Sequence, residues 1–187
     1  EQILSDSINI ASIISEQGLI QPLFESYLNN GCYPFYKEKG DGFEQRLQET
    51  IWLILERDWP ALEEVNYSTI QKTKRLLMVL SEAVPLTPNM TELFAAVETN
   101  REGGLRMLYT LEKAGVLRLI TREPRSIGTL RKPDKIYMGN SNLMHALSSN
   151  TNIGTIRETF FCNQLLEAGH EVNLAKKGDF IVDSQYT

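Results

Sequence analysis

Two acids set the first chemical question in this chain. Asp179 opens the apolar run "DFIVDSQYT", and Glu158 precedes it in the helical stretch "TIRETFFCNQLLEA". A helix acid followed by an acid that opens a strand can hold a divalent cation through carboxylate oxygens. A lysine alongside would orient or activate water for phosphodiester cleavage. A plainer reading stands beside this one: Glu158 pairs with a neighbouring cation such as Arg157, or caps a turn, and Asp179 only begins a strand. The plainer reading is preferred, so no catalytic residue and no metal are expected of the chain itself.

The second chemistry is cationic. Between Arg101 and Lys135 there are nine Lys or Arg and four Asp or Glu, a balance of +5 in a chain whose net charge is −5. A local basic zone on an acidic body can bind phosphate where the average charge could not. Arg101 and Arg106 fall on a helix, and Arg122, Arg125, Arg131 and Lys132 on the loop that follows it. These six are the candidate nucleic-acid contacts, with the loop cations directed at phosphate. Glu98, Glu102 and Glu112 stand against DNA and for packing onto a protein partner. Gly103-Gly104, early in the same helix, costs about 1 kcal/mol per glycine relative to alanine. Another backbone must approach there, either DNA or a helix of the same chain.

Other chemistries find little support. Cys32 and Cys162 are far apart and form no CxxC, which argues against a disulfide framework and fits a reducing cytoplasm. With two histidines and two cysteines at no ligand spacing, zinc is not expected. His145 and His170 have no acid or nucleophile at recognisable spacing and are read as structural. No apolar run reaches the roughly 18 residues of a membrane span. The start, "EQILSDSINIASII", has neither the basic lead nor the apolar run of a signal peptide and begins without Met, as expected of a piece of a longer protein.

Helices, turns and two strand pairs must position these groups. Residues 1–65 read as a helical segment. "NNGCYPFYKEKGDG" is a loop, and Phe43, Leu47, Ile51, Ile54 and Leu55 recur at helical spacing after it. Tyr33, Phe35, Tyr36, Trp52 and Trp59 form a core, or in part a surface covered by another module that would leave an association-prone patch here. Residues 66–140 give three helices, with Ser68, Asn89 and Thr99 as their starting caps, Pro85 and Pro88 as a break, and Gly115 as a stop. The strand "VLRLIT", a loop with Pro124, Gly128 and Pro133, and the strand "KIYMG" complete a winged helix. Residues 141–187 supply a helix ended by Gly169 and two strand-like runs around Lys176-Lys177-Gly178. One helix and one hairpin leave a sheet edge unpaired, so this part reads as incomplete. The fold class is α+β.

The segments "NNGCYPFYKE", "LERDWP", "LTPNMTELFAAVE", "LEKAGVLRLI", "LRKPDKIYMGNSNLMHAL", "GTIRETFFCNQL" and "GDFIVD" run in this order along the whole chain. In that order they resemble the C-terminal half of bacterial AAA+ superfamily ATPases. The resemblance implies a P-loop ATPase module first, then a domain of unknown function with a winged helix and a restriction-endonuclease-like core. Glu158 and Asp179 match the helix acid and strand acid of that core, an incomplete nuclease-like pair. By the resemblance, a further acid and lysine belong on a following strand. No glycine-rich loop ending in Gly-Lys-Ser/Thr occurs, so ATP and magnesium are implied only for the absent ATPase module. The expected role is a non-catalytic accessory region of an AAA+-type ATPase, whose winged helix binds double-stranded DNA or couples to the ATPase module. The alternatives are an interaction module with no nucleic-acid role, and a nuclease-like domain active only in the intact parent. Homo-oligomerisation is a further candidate.

Overall fold

A computed structural model describes residues 12, 20–39, 42–122, 130–148, 151–176 and 178–185. The described residues form an α+β fold in which nine helices run ahead of or between two antiparallel hairpins. Among the described residues no helix is long and apolar enough to cross a membrane.

The helices begin where short polar side chains can satisfy free N–H groups. In the N-terminal part, α1 (Ile20–Ser26) runs into a π-helical turn, Tyr27–Gly31, and α2 (Tyr36–Lys39) follows it. The segment expected to be a loop is therefore partly helical. Pro34 does end one helical run, but its backbone carbonyl accepts from Lys37 N–H and so starts the next. Helix α3 (Phe43–Leu53) leads through a second π-helical stretch, Ile54–Asp58, into α4 (Trp59–Leu62). Its stripe of Phe43, Leu47, Ile51 and Leu55 is buried. Tyr33, Phe35 and Tyr36 gather around Phe43, with ring centres 5.1 to 6.3 Å apart.

The middle helices are α5 (Tyr67–Ser81), α6 (Met90–Ala96) and α7 (Arg101–Lys113). Each starts at an asparagine. The side chain of Asn66 accepts from Thr69 N–H, that of Asn89 from Thr91 N–H and that of Asn100 from Gly103 N–H. Such a cap contributes about 1 kcal/mol relative to alanine. Ser68 and Thr99, expected as caps, stand two residues inside and one residue ahead of the actual starts. Asparagine reaches the second or third amide as serine does, so the cap fell to the nearest asparagine. Gly115 then takes φ +73°, the left-handed turn that ends α7.

Strands β1 (Leu117–Ile120) and β2 (Lys135–Met138) pair antiparallel, Leu117 against Met138 and Ile120 against Lys135. Leu86, in the link between α5 and α6, exchanges two backbone hydrogen bonds with Ile136 and adds a third short rung to this sheet. Gly139 closes the hairpin where its backbone lies against the carbonyl of Gly115, leaving no room for a side chain. Leu77, Leu80, Leu108, Leu111, Leu117 and Ile136 are wholly buried between helices and sheet. Each such leucine or isoleucine contributes about 1.5–3 kcal/mol by leaving water.

Helix α8 (Ser141–Leu147), helix α9 (Ile153–Glu167) and the hairpin of β3 (Val172–Leu174) with β4 (Phe180–Val182) complete the chain. One continuous core takes in Leu28, Leu47, Leu77, Leu108, Leu143 and Ile156. A second, smaller core joins Ile120, Tyr137, Cys162, Val172 and Phe180. The two hairpins meet where Leu174 N–H donates to the Thr121 carbonyl at 3.0 Å.

Buried amides hold these parts together. Asn142 on α8 is fully buried; its Oδ1 accepts from Cys32 N–H at 2.8 Å, and its Nδ2 donates to the carbonyls of Leu28 at 2.8 Å and Tyr27 at 3.3 Å. A π-helical turn leaves backbone groups without the usual partners, and this side chain, more than a hundred residues away, supplies them. Asn163 acts likewise between α9 and β2: Nδ2 donates to the carbonyls of Met138 and Thr159, and Oδ1 accepts from Arg118 Nε.

Candidate functional site

Two regions of the structure hold the groups singled out in the sequence: the outer face of α7 with the foot of the loop beyond β1, and the contact between β2 and α9.

On α7, Asn100 fixes the start of the helix and so directs Arg101 and Arg106 outward, both exposed. Arg106 Nη2 donates to Glu102 Oε1 at 2.8 Å, one turn back on the same helix. Lys113, at the last turn, meets Glu63 at 3.6 Å. Arg122 pairs with Asp134 at 4.0 Å, and Asp134 also accepts from Arg122 N–H at 2.9 Å. Lys132 is exposed, and Arg125 lies outside the described residues. The backbone of Arg131 is clamped to α7 by Tyr109, whose hydroxyl accepts from Arg131 N–H at 3.1 Å and donates to Arg131 C=O at 2.9 Å. The basic zone is thus largely neutralised from within. Of its described cations, Arg106, Lys113, Arg118, Arg122 and Lys135 all face a carboxylate of the same chain.

The double glycine has two separate explanations. A Cβ on Gly104 would collide with the ring of Phe94, so the close neighbour is α6 of the same chain. A Cβ on Gly103 would stand 2.8 Å from Thr99 Oγ1 and 3.2 Å from Asn100 Oδ1, crowding the cap itself.

An open groove of about 1040 Å³ runs along α7. One wall is α4 and the link to α5, with Trp59, Glu63, Glu64 and Tyr67; the other is α7, with Gly103, Arg106, Thr110 and Lys113. Leu130, held in place by the clamp on Arg131, stands at its edge. Periodicity does not reveal this groove, because the residues named on its two walls are 36 or more positions apart and meet only through packing.

At the second region, Glu158 on α9 faces β2. Lys135 Nζ donates to Glu158 Oε1 at 2.5 Å and Tyr137 Oη donates to the same oxygen at 2.7 Å. The pairing cation is Lys135, across the fold, and not the adjacent Arg157. Tyr137 is fully buried, and burial, with the Glu158 carboxylate next, raises its pKa far above that of a free phenol. Asp179 adds a smaller contribution to the same rise. Asp179 itself is exposed at the start of β4. Lys176 is exposed in the turn, and Lys177 lies outside the described residues. Among the described residues no cluster of three or more His, Cys, Asp or Glu side chains is arranged to hold a metal ion.

The remaining titratable groups take structural places. Burial lowers the pKa of His145 on α8, and its Nε2 is buried without a hydrogen-bond partner. His170 does have an acid partner, contrary to the sequence reading: Nδ1 lies 2.7 Å from Asp183 Oδ2. The β3–β4 register, Val172 against Val182, brings these residues together across 13 positions. The Asp183 carboxyl is held below its usual range, first by hydrogen bonding with the backbone of Glu171 and then by His170. Burial pushes the Cys162 thiol up to about 12, so it is no nucleophile. The chain matches no family model, no curated protein and no solved structure.

Proposed function

We propose that this chain is a non-catalytic accessory region whose middle part, residues 66–140, is a winged helix used to dock protein rather than DNA. Helices α5, α6 and α7, the Leu86 rung and the β1–β2 hairpin with its intervening loop follow the order of a winged helix, which supports that reading. The resemblance to the C-terminal half of AAA+ ATPases supplies the partner. The module couples the nucleotide state of an ATPase domain in the same parent protein to whatever that protein acts on.

The observation that carries the choice between DNA and protein is the acidic wall of Glu63 and Glu64 that faces α7. A recognition helix that reads DNA leaves its cations free for phosphate. Here Arg106 and Lys113 on α7 are engaged by Glu102 and Glu63, and Glu63 and Glu64 wall the helix face that DNA would have to reach. Two measurements test it. Fluorescence anisotropy with a 20-base-pair duplex at about 150 mM salt is expected to give no binding tighter than the roughly 10⁻⁴ to 10⁻⁶ M of ordinary non-specific association. In the parent protein, removal of the whole region, residues 1–187, is expected to change ATP turnover, while added duplex leaves turnover unchanged. Tight duplex binding that Arg122→Glu, Arg131→Glu and Lys132→Glu together abolish would reverse the assignment.

A nuclease reading has one observation in its favour, that the charges of Glu158 and Asp179 both reach Tyr137. The engagement of Glu158 by Lys135 and Tyr137 weighs against it, because a carboxylate so occupied must lose both partners before it can bind a cation.

A further inference from the structure

We infer that the groove between α4 and α7 receives an amphipathic helix that carries bases on one flank and acids on the other. This rests on the protein-docking reading above and names the surface and the kind of partner. Three features of the groove lead to it.

Its charge is divided by wall. Glu63 and Glu64 line one side, and Arg106 and Lys113 the other, while the ammonium of Lys72 on α5 donates to the Glu98 carbonyl. A polyanion or a polycation would meet like charge along one entire wall, whereas a segment bearing both signs on opposite flanks meets complement on both. The pairs that span or border the groove are exposed and exchangeable. Lys113 and Glu63 are 77% and 54% exposed, and Arg106 and Glu102 are 71% and 69% exposed. Such pairs contribute little to stability, so a partner can replace them at small cost.

The floor and rim between those walls are partly apolar. Tyr67 is 73% exposed and Leu130 40%. Trp59 itself donates from Nε1 to Glu63 Oε2 at 3.3 Å, which turns the indole along the acidic wall. Large apolar side chains left open beside a groove are the anchors of helix-in-groove recognition.

The size fits as well. A helix about 10 Å across filling 1040 Å³ runs for about 13 Å, or roughly nine residues. That is two to three turns, enough for one apolar stripe and both flanks.

The test uses three 14-residue helical peptides that share one Leu/Tyr stripe. One carries Lys on one flank and Glu on the other, the second Glu on both flanks, and the third Lys on both. Binding to the intact chain is followed by the anisotropy of labelled peptide, and by tryptophan emission with Trp59→Phe as the control for position. The mixed peptide is expected to bind at least tenfold tighter than either uniform one. With Glu63→Lys and Glu64→Lys together the preference is expected to move to the all-Glu peptide, with circular dichroism confirming that the variant folds. Equal affinity for all three peptides, no binding by any, or binding unaffected by the charge reversals overturns the groove assignment. So does a 14-nucleotide single strand that binds more tightly than the mixed peptide and is lost on Arg106→Glu, which would make the groove a nucleic-acid site. Failure of the peptides leaves the ATP-turnover experiment as the separate judge of the docking function.

Discussion

The ammonium of Lys135 on β2 and the carboxylate of Glu158 on α9 meet at 2.5 Å, at the same oxygen that accepts from the buried hydroxyl of Tyr137. Side-chain exposure at this pair is 18% and 24%, so water screens it only in part. The acid that in sequence suggests a metal ligand serves in the fold as the joint between the middle sheet and the last helix.

Removing that joint should cost stability rather than an activity. Glu158→Ala leaves the Lys135 charge and the Tyr137 hydroxyl without an acceptor, and a loss of about 2–4 kcal/mol is expected in urea unfolding. Tyr137→Phe removes a hydrogen bond but keeps the ion pair, and should cost about 1 kcal/mol. Equal losses for the two variants would show that the ion pair contributes nothing beyond packing.

Asn142 should be among the most sensitive polar positions. Asn142→Leu keeps the volume but strands Cys32 N–H and the Leu28 and Tyr27 carbonyls inside the protein. At roughly 1–3 kcal/mol for a buried group left unsatisfied, a loss of at least 2 kcal/mol is expected. Hydrogen exchange should speed up first at residues 27–32. Acceleration confined to α8 would contradict the role given to this side chain.

The two glycines of α7 should behave differently. Alanine favours a helix by about 1 kcal/mol over glycine. At Gly104 that gain is overridden by collision with Phe94, so Gly104→Ala should be destabilising by about 1–2 kcal/mol net. At Gly103 the neighbour is the end of the Thr99 side chain, which can turn away, so Gly103→Ala should lie near neutral. Thermal melts of both variants check the contrast. A chain of this size shifts by about 2–4 °C per kcal/mol.

His145 should make the protein sensitive to mild acid. Burial lowers its pKa below the ordinary 6.5, with the nearby Glu44 opposing, and a proton on the buried Nε2 would find no acceptor. A group whose pKa is depressed by folding contributes stability that is present above the unfolded value and lost as pH falls through the folded one. Melting temperature should therefore drop from pH 7.5 to pH 5.5, and the drop should be smaller in His145→Gln. An identical drop in the variant would move the acid sensitivity elsewhere.

Much of the local architecture was legible because it is written in neighbouring residues. The stripe Phe43, Leu47, Ile51, Leu55 turns inward as its spacing requires, and so do Leu105, Leu108 and Leu111. Pro85 and Pro88 separate α5 from α6, and Gly115 and Gly169 end their helices with positive φ. The starting caps were misplaced by a residue or two because serine, threonine and asparagine compete for the same role, and Asn66 and Asn100 took it. The candidate site was less legible. Whether Arg106 and Lys113 are free for phosphate depends on Glu102, one turn away, and on Glu63, fifty residues away.

The longer helices, the two hairpins, their order and the α+β class are written locally, since periodicity, capping and turn residues act within a few positions. The packed fold alone brings Glu158 to Lys135, His170 to Asp183, Asn142 to the π-helical turn at Tyr27–Gly31, and acid and base to opposite walls of one groove. Those contacts join residues 13 to 115 apart. Nothing in a local pattern encodes such a pairing: it forms only when a shared core brings the side chains together and removes the water that would otherwise keep them apart.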